Sequence, residues 1–391
     1  MRMDGNERRA RLGRRHHLAP GTLAADVVEA AGDIVGLHGT DPTSVYVEAW
    51  ARTRDLEIAA LDRALYEERS VLKILGMRRT MFVVPVDLAG IIDSACARAI
   101  GVTERRRLIG MIEGAGISDD AERWVEKVEA ETVAALEARG EATAAELTKD
   151  VPGLREQIAF GAGKKWQGKV GVSTRLLFLL SCEGRIIRGR PRGTLVSSLY
   201  RWVPMDRWVE GGLEPWPTVR ARTELVGRWL AAFGPGTIED LRWWTGWTLR
   251  DLRPALAGVN TAAVELDDGV VGLVLATDVD GTPDPGPWVG LLPALDATVM
   301  GWKERTWFLG EHASALFDRN GNAGPSVWVD GRVVGGWAQR ADGEVVVKLL
   351  EDIGSDAAAA IRERADRLSA WLGPVRITPR FRTPLEQQLV R

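Results

Sequence analysis

The residues of this chain best suited to chemistry lie in one short polar segment, at His38, Thr40 and Asp41. A histidine can hold a water by a hydrogen bond or accept a proton near neutral pH. The hydroxyl of Thr40 can hydrogen-bond but carries no charge, and the carboxylate of Asp41 can supply a negative charge. The segment could therefore orient a water beside a centre that becomes positive.

The same segment also has a purely structural interpretation. The preceding residues 22–35 are rich in Ala and Val and predict a helix, and a second helix is predicted from Val45. Asp41 or Thr40 can cap that second helix, and Pro42 fits its first turn. Taken alone, this composition favours a capped turn between two helices over a polar site.

Helices followed by β-hairpins recur along the chain. Residues 22–75 follow a helical pattern, and 71–84 end in an alternating, β-branched stretch that predicts a strand or hairpin. Leu, Gly, Thr, an acid and Leu recur at identical spacing in 136–147 and 230–241, which predicts a helix end, a turn and a capping box. Predicted strands follow both copies, so we expect three units with the outline of a winged helix.

The C-terminal section has a different composition. Short apolar runs follow a Pro- and Gly-rich stretch, and Asp330-Gly331 is a strong hairpin signal. This predicts a small antiparallel β domain, closed or nearly closed, with a terminal helix. The sequence thus predicts an α+β fold with a basic N-terminal tail (1–20), a first winged-helix module with connecting helices (21–130), a second module (131–215), a third (216–278) and the β domain (279–391).

Charge is concentrated in two places. Residues 1–20 carry six arginines against two acids, which predicts a solvated tail, or alternatively a basic arm that contacts phosphate. The chain has a net charge of −3, yet residues 164–207 carry ten basic residues against Glu183 and Asp206. Such a patch favours contact with nucleic acid over a merely solvated face. Its basic residues are Lys164, Lys165, Lys169, Arg175, Arg185, Arg188, Arg190, Arg192, Arg201 and Arg207.

Several function classes are disfavoured. Two distant cysteines argue against a disulfide scaffold, and four histidines without ligand spacing argue against a metal site. The sequence contains no dinucleotide fingerprint or nucleophile elbow, so no cofactor is expected. Without an apolar segment of signal-peptide or membrane type, the expected location is the cytoplasm, near the nucleoid, with no membrane partner.

Five segments together resemble the AlkZ/YcaQ-type winged-helix DNA glycosylases, and the similarity extends over residues 20–380. The resemblance implies tandem winged-helix modules and a β domain arranged around double-stranded, damaged DNA. It implies a monofunctional glycosylase that removes alkylated purines and, in some members, unhooks interstrand crosslinks. The segments are 37–41 with Tyr46 and 50–52, then 77–83, 184–189, 237–244 and 292–296.

The resemblance also implies residue roles. The family motif is Gln, an apolar residue, then Gln or Asp, and its positions are occupied here by His38, Gly39 and Thr40. We therefore expect His38 to orient water, Thr40 to support it and Asp41 to supply charge, although His38 could instead merely satisfy a turn. Arg78, Arg79 and Thr80 match a strand of the family's first hairpin, where they would contact phosphate or line the lesion site, or be ordinary exposed residues.

Two functions remain after this comparison. The first is a DNA repair glycosylase acting as a monomer, because tandem modules already give one chain several DNA contacts. The second is a non-catalytic DNA-binding protein, a regulator or lesion sensor, because both polar motif positions depart from the family pattern.

Overall fold

The computed structural model describes residues 1–160, 168–267, 269–379 and 382–391. The predicted phosphate contacts Lys164 and Lys165 lie outside these residues. The fold is mixed α and β, as predicted, with helices surrounding several small antiparallel sheets. No helix in the described ranges is long and apolar enough to cross a membrane.

The N-terminal part contains four helices and a three-stranded sheet. The sheet has the order β1-β3-β2, and its first strand, of two residues, was not predicted. Leu37 pairs with Val83 and His38 with Phe82, so the polar segment is fixed to the hairpin that follows it. The elements are α1 (Gly5–Arg15), α2 (Val27–Asp33), β1 (Leu37–His38), α3 (Pro42–Arg52), α4 (Ile58–Tyr66), β2 (Val71–Leu75) and β3 (Met81–Pro85).

The expectation of a solvated N-terminal tail is wrong. Helix α1 buries Leu12, and its Arg11 side chain is only 2% exposed. Arg11 can be buried because it pairs with Glu7 at 2.6 Å and with Asp278 at 2.7 Å. The backbone N–H of Met3 also donates to the carbonyl of Glu265, which anchors the segment to a distant strand.

The middle of the chain repeats an order of helices followed by a two-stranded antiparallel hairpin. One such unit pairs β6 with β7 and another pairs β8 with β9. The elements are α5 (Val86–Ile92), a π-helical turn (Asp93–Ala97), α6 (Arg98–Gly114), α7 (Ala121–Arg139), α8 (Ala144–Asp150), β4 (Gln157–Phe160), β5 (Gly168–Gly171), α9 (Val172–Cys182), β6 (Ile186–Pro191), β7 (Tyr200–Pro204), α10 (Met205–Trp208), α11 (Thr218–Phe233), α12 (Ile238–Thr245), α13 (Leu249–Ala257), β8 (Thr261–Glu265) and β9 (Val271–Leu275).

Both predicted capping boxes are confirmed. Thr143 and Glu146 cap α8 reciprocally, and Thr237 and Asp240 do the same for α12. The carboxylate of Asp240 also accepts the backbone N–H of Lys303, so this cap ties α12 to the C-terminal section.

The C-terminal section is built on an open four-stranded sheet, so the expected closure is wrong. Its strands follow the order β10-β11-β12-β13, with α16 packed against it. The predicted turn at Asp330-Gly331 is confirmed, since both residues have the left-handed φ that such a hairpin requires. The elements are β10 (Val289–Leu292), α14 (Thr306–Leu309), α15 (Ala313–Leu316), β11 (Ser326–Val329), β12 (Arg332–Gln339), β13 (Val345–Leu349), α16 (Ser355–Leu372) and α17 (Pro384–Leu389).

Two main hydrophobic clusters hold these parts together. The larger one runs from the N-terminal sheet through α11 into the C-terminal sheet and includes the fully buried Trp229, Trp328 and Trp337. The second lies within the unit that ends in the β6–β7 hairpin. The polar segment around His38 lies in the part of the protein that has the larger cluster as its core.

Candidate active site and nucleic-acid interface

The turn between β1 and α3 is a capped helix start. The Oδ1 atom of Asp41 accepts the backbone N–H of Thr43 at 2.9 Å and its hydroxyl at 2.6 Å, and Pro42 occupies the first turn. Both bonds use the same oxygen, so the helix cap does not use Oδ2. Thr40 is exposed and Asp41 half-buried, so both are accessible to a bound molecule.

His38 lies beneath this turn and is 4% exposed. Its ring packs edge-on against Phe82, and its Nδ1 is buried without a hydrogen-bond partner among the described residues. Burial, with the charges of Arg78 and Lys73, lowers the pKa of His38 to about 3. The imidazole is therefore neutral at physiological pH, which suits it to hydrogen-bond a water and makes it a weak proton acceptor.

Glu48 holds the backbone of His38 in place. One carboxylate oxygen accepts the N–H of His38 at 2.7 Å, and the other accepts the N–H of Ala297 at 2.8 Å. Burial and the Asp296 carboxylate raise the pKa of Glu48 to about 8. Glu48 was not singled out in the sequence, although an acid inside the apolar run 45–51 could have signalled it.

A buried ion pair lies next to Glu48. The Arg52 guanidinium donates to both carboxylate oxygens of Asp296, at 2.8 and 2.7 Å, and both side chains are 0% exposed. Arg52 also donates to Thr298 Oγ1 at 2.7 Å and to the carbonyl of Glu48 at 3.0 Å. Together these bonds fix the C-terminal end of α3 to the loop that follows β10.

Lys73, on β2, faces the β6–β7 hairpin. Its Nζ lies 5.2 Å from the centroid of the Tyr200 ring, and Cζ of Arg188 lies 4.9 Å from the same ring. Burial and the Arg188 charge lower the pKa of Lys73 to about 7, against the opposing effect of Asp41. The single lysine in an otherwise apolar strand, 71–75, was the signal that sequence reasoning missed.

Arg78 and Arg79 occupy the tight turn between β2 and β3, both with left-handed φ values of 51° and 61°. Cζ of Arg78 lies 3.8 Å from the centroid of Trp243 on α12, and Arg79 pairs with Glu104 at 3.0 Å. Both guanidinium groups therefore bridge neighbouring elements within the protein. Thr80 follows them and is half-buried.

The remaining predicted contacts fall on the β6–β7 hairpin, on β5 and on α9 of the second unit. Arg188, Arg190, Arg192 and Arg201 lie on or beside the β6–β7 hairpin, while Lys169 is on β5 and Arg175 on α9. Lys169 and Arg192 have exposed side chains. Arg190 pairs with Glu67 and Arg201 with Glu141, each at 3.0 Å. Arg188 contacts the same Tyr200 ring as Lys73.

Removing one member of the buried pair should destabilise the protein strongly. We expect Asp296→Ala to lower the free energy of unfolding by about 3–5 kcal/mol, because the buried Arg52 charge would lose its ion-pair partner. Urea unfolding followed by tryptophan fluorescence measures the effect. Asp284→Ala, at a surface loop position, is the control, and an equal loss in both variants would contradict the expectation.

The depressed pKa of His38 predicts a specific pH dependence of stability. As the pH falls below the ordinary value of 6.5, the unfolded chain binds a proton at His38 that the folded protein excludes, so stability is lost. Relative to His38→Gln, the wild-type free energy of unfolding should fall by about 1.4 kcal/mol between pH 7.5 and 5.5. Urea unfolding at both pH values tests this, and parallel curves for the two proteins would show that His38 titrates normally.

Comparisons with known proteins identify the family and the fold. The family model described as DNA glycosylase AlkZ-like matches residues 31–371. The fold is similar to the solved structure of Streptomyces sahachiroi DNA glycosylase AlkZ, with a TM-score of 0.73 and 21% sequence identity over 96% of this chain and 99% of that chain. No curated protein matches the sequence. Because the family match covers most of the chain, including the His38 turn, the protein belongs to the AlkZ-like DNA glycosylase family.

Proposed function

We propose that this DNA glycosylase hydrolyses the N-glycosidic bond of alkylated, cationic purines in double-stranded DNA and can unhook interstrand crosslinks made through such bases. The observation that carries the proposal is the buried His38 ring beneath the accessible Thr40–Asp41 turn, whose Nδ1 has no hydrogen-bond partner among the described residues. A buried polar atom without a partner is uncommon and calls for an explanation such as a bound water.

The chemistry requires little proton transfer. An N-alkylated purine is already a good leaving group, so the enzyme must mainly stabilise a positive, oxocarbenium-like sugar and position water on its far face. In this proposal His38 orients the water and the Thr40 hydroxyl supports it. The Oδ2 atom of Asp41, which the helix cap does not use, faces the positive sugar. Water, and no protein group, attacks the sugar during base release.

The three units of helices followed by a hairpin act in this proposal as winged-helix modules, with the boundaries 21–130, 131–215 and 216–278. The β6–β7 hairpin is the wing that contacts phosphates. Its Arg192 is exposed and makes no ion pair within the described ranges, whereas Arg190 and Arg201 are held in ion pairs. One chain then provides several DNA contacts, so we propose that it acts as a monomer in the cytoplasm, near the nucleoid.

One observation favours a second function. His38 and Thr40 replace the polar residues of the family motif, and His38 is almost fully buried. A protein that retains the fold and the basic hairpin without the chemistry would be a non-catalytic regulator or lesion sensor.

Measuring base release distinguishes the glycosylase from the non-catalytic DNA-binding protein. We expect the wild type to release N7-methylguanine from a duplex in single turnover and His38→Ala to do so about 100-fold more slowly, because the attacking water loses its orienting group. His38→Gln, which restores the family residue, should retain more activity than His38→Ala.

His312→Ala, at a histidine that contacts Glu351 far along the chain, is the matched control and should behave as wild type. Binding to undamaged duplex, measured in parallel, reports whether each variant is folded. Tight binding without base release by the wild type, on methylated and crosslinked substrates alike, would replace the glycosylase with the non-catalytic function.

The proposed role of the β6–β7 hairpin leads to a separate prediction about DNA binding. Arg192→Ala should weaken binding to duplexes of any sequence equally. It should also make the slope of log K, where K is the association constant for DNA, against log salt concentration shallower by about the contribution of one phosphate contact. Arg362→Ala, at an exposed arginine on α16, is the control. Fluorescence anisotropy from 50 to 200 mM salt measures both, and identical slopes for the two variants would remove the hairpin from the interface.

A further inference from the structure

We propose that a cleft between the C-terminal end of α3 and helix α16 binds a nucleotide through both its phosphate and its base. Thr53, the C-cap of α3, lines this cleft, whereas the His38 turn lies at the opposite end of the same helix. The cleft has a volume of about 460 Å³, which is typical of small-molecule sites in proteins. The inference goes beyond the glycosylase function and does not depend on it.

Positive charge in the cleft lacks a counter-ion. Arg54, Arg364 and Arg367 line it, and none of the three forms an ion pair with a carboxylate within the described residues. Asp55 is the one acidic side chain among the described residues that line the cleft, and it is exposed. Because arginine keeps its proton at neutral pH, the cleft retains this charge and favours an anionic ligand.

Arg364 is the least exposed of the three arginines. Its Cζ lies 4.2 Å from the centroid of the Trp50 ring, and its Nη2 donates to the carbonyl of Ala51 at 3.1 Å. Its Nε is buried without a hydrogen-bond partner among the described residues. Burial and the charge of Arg367 lower the pKa of Arg364 to about 10. A desolvated cation of this kind is unfavourable by itself, and an oxyanion bound beside it would offset that cost.

Thr53 supplies a second polar group for the same anion. Its side chain is 6% exposed, and its hydroxyl oxygen is buried without a partner in the part of the chain that the structure describes. Buried hydroxyl groups of folded proteins nearly always have a hydrogen-bond partner, so one that lacks a partner and lines a cleft calls for a ligand. A threonine hydroxyl can donate to an oxygen of a phosphate group.

An aromatic wall beside these cations favours a nucleotide over a bare anion. Trp371 is half-buried and lines the cleft, and its Nε1 donates to the carbonyl of Leu56 at 2.6 Å, which fixes the ring. Arg367 precedes Trp371 by four residues, so both lie on one face of α16, about 6 Å apart along its axis. Bases stack on indole rings and phosphates pair with guanidinium groups, so the two side chains match the two parts of a nucleotide.

Calorimetric titration tests the inference with adenosine 5′-monophosphate, adenosine and inorganic phosphate as probes. We expect one molecule of the monophosphate to bind per chain, at least about tenfold more tightly than adenosine or phosphate, because only the monophosphate engages both the indole and the cations. A 5′-phosphorylated hexanucleotide is titrated in parallel. If it binds more tightly than the monophosphate and its binding depends on Thr53, the nucleotide is the end of a DNA strand; the reverse order assigns a free nucleotide.

Two variants locate the binding without disturbing the fold. Thr53→Val has nearly the same shape and removes a hydroxyl that lacks a partner, so it should leave the unfolding midpoint unchanged and weaken nucleotide binding about tenfold. Arg367→Glu, at an exposed position, should weaken it further because it reverses a charge at the phosphate. Arg362→Ala, on the same helix but outside the cleft, is the matched control and should bind as wild type.

Three results would overturn the proposal. They are the absence of binding by the wild type to both the monophosphate and the hexanucleotide at millimolar concentration, equal affinity for the monophosphate and inorganic phosphate, and binding that is unchanged in Thr53→Val and Arg367→Glu. None of these titrations measures base release, so each of these results would leave the proposed glycosylase function standing.

Discussion

The ion pair of Arg52 and Asp296 is the constraint on which the arrangement of the site depends. The two residues are 244 positions apart, and neither side chain reaches solvent. Removing two charges from water costs several kcal/mol for each ion, and only good geometry with additional hydrogen bonds offsets that cost. Here the guanidinium donates to both oxygens of Asp296, to Thr298 and to the backbone of α3. Helix α3 can therefore occupy only one position against the C-terminal section.

The position of α3 determines the position of the chemistry. The helix begins at the Asp41 cap, three residues after His38. Glu48, on its second turn, accepts hydrogen bonds from the backbone of both His38 and Ala297. The candidate site is thus held on one side by the N-terminal sheet and on the other by the C-terminal loop that contains Ala297. Such rigid support is what a site that orients water needs, since small displacements of a reactant reduce rates steeply.

The basic residues around this site differ in their contacts. Arg78 contacts Trp243 and Arg79 pairs with Glu104, so both bridge neighbouring elements, whereas Lys73 makes no ion pair with a carboxylate within the described residues. Burial, with a smaller effect of the Arg78 and Lys73 charges, lowers the pKa of His38. The environment of the ring therefore favours a neutral, hydrogen-bonding histidine over a charged one.

The sequence by itself determined the features that depend on neighbouring residues. The capped turn at Asp41, the two capping boxes at Thr143 and Thr237, and the hairpin at Asp330 were predictable because each is decided within about four positions along the chain. Their spacing also gave the order of helices and hairpins, and the segment resemblance gave the family.

Only the tertiary structure decided the protonation and accessibility of the site. The sequence assigned His38 the pKa of an exposed histidine, and it left Glu48 and Lys73 unremarked within apolar runs. The basic segment 1–20 was expected in solvent, yet α1 is docked by Asp278, which is far along the chain. The physical reason is the same in each case. Desolvation and charge pairing depend on residues that are distant along the chain, and folding alone brings them together.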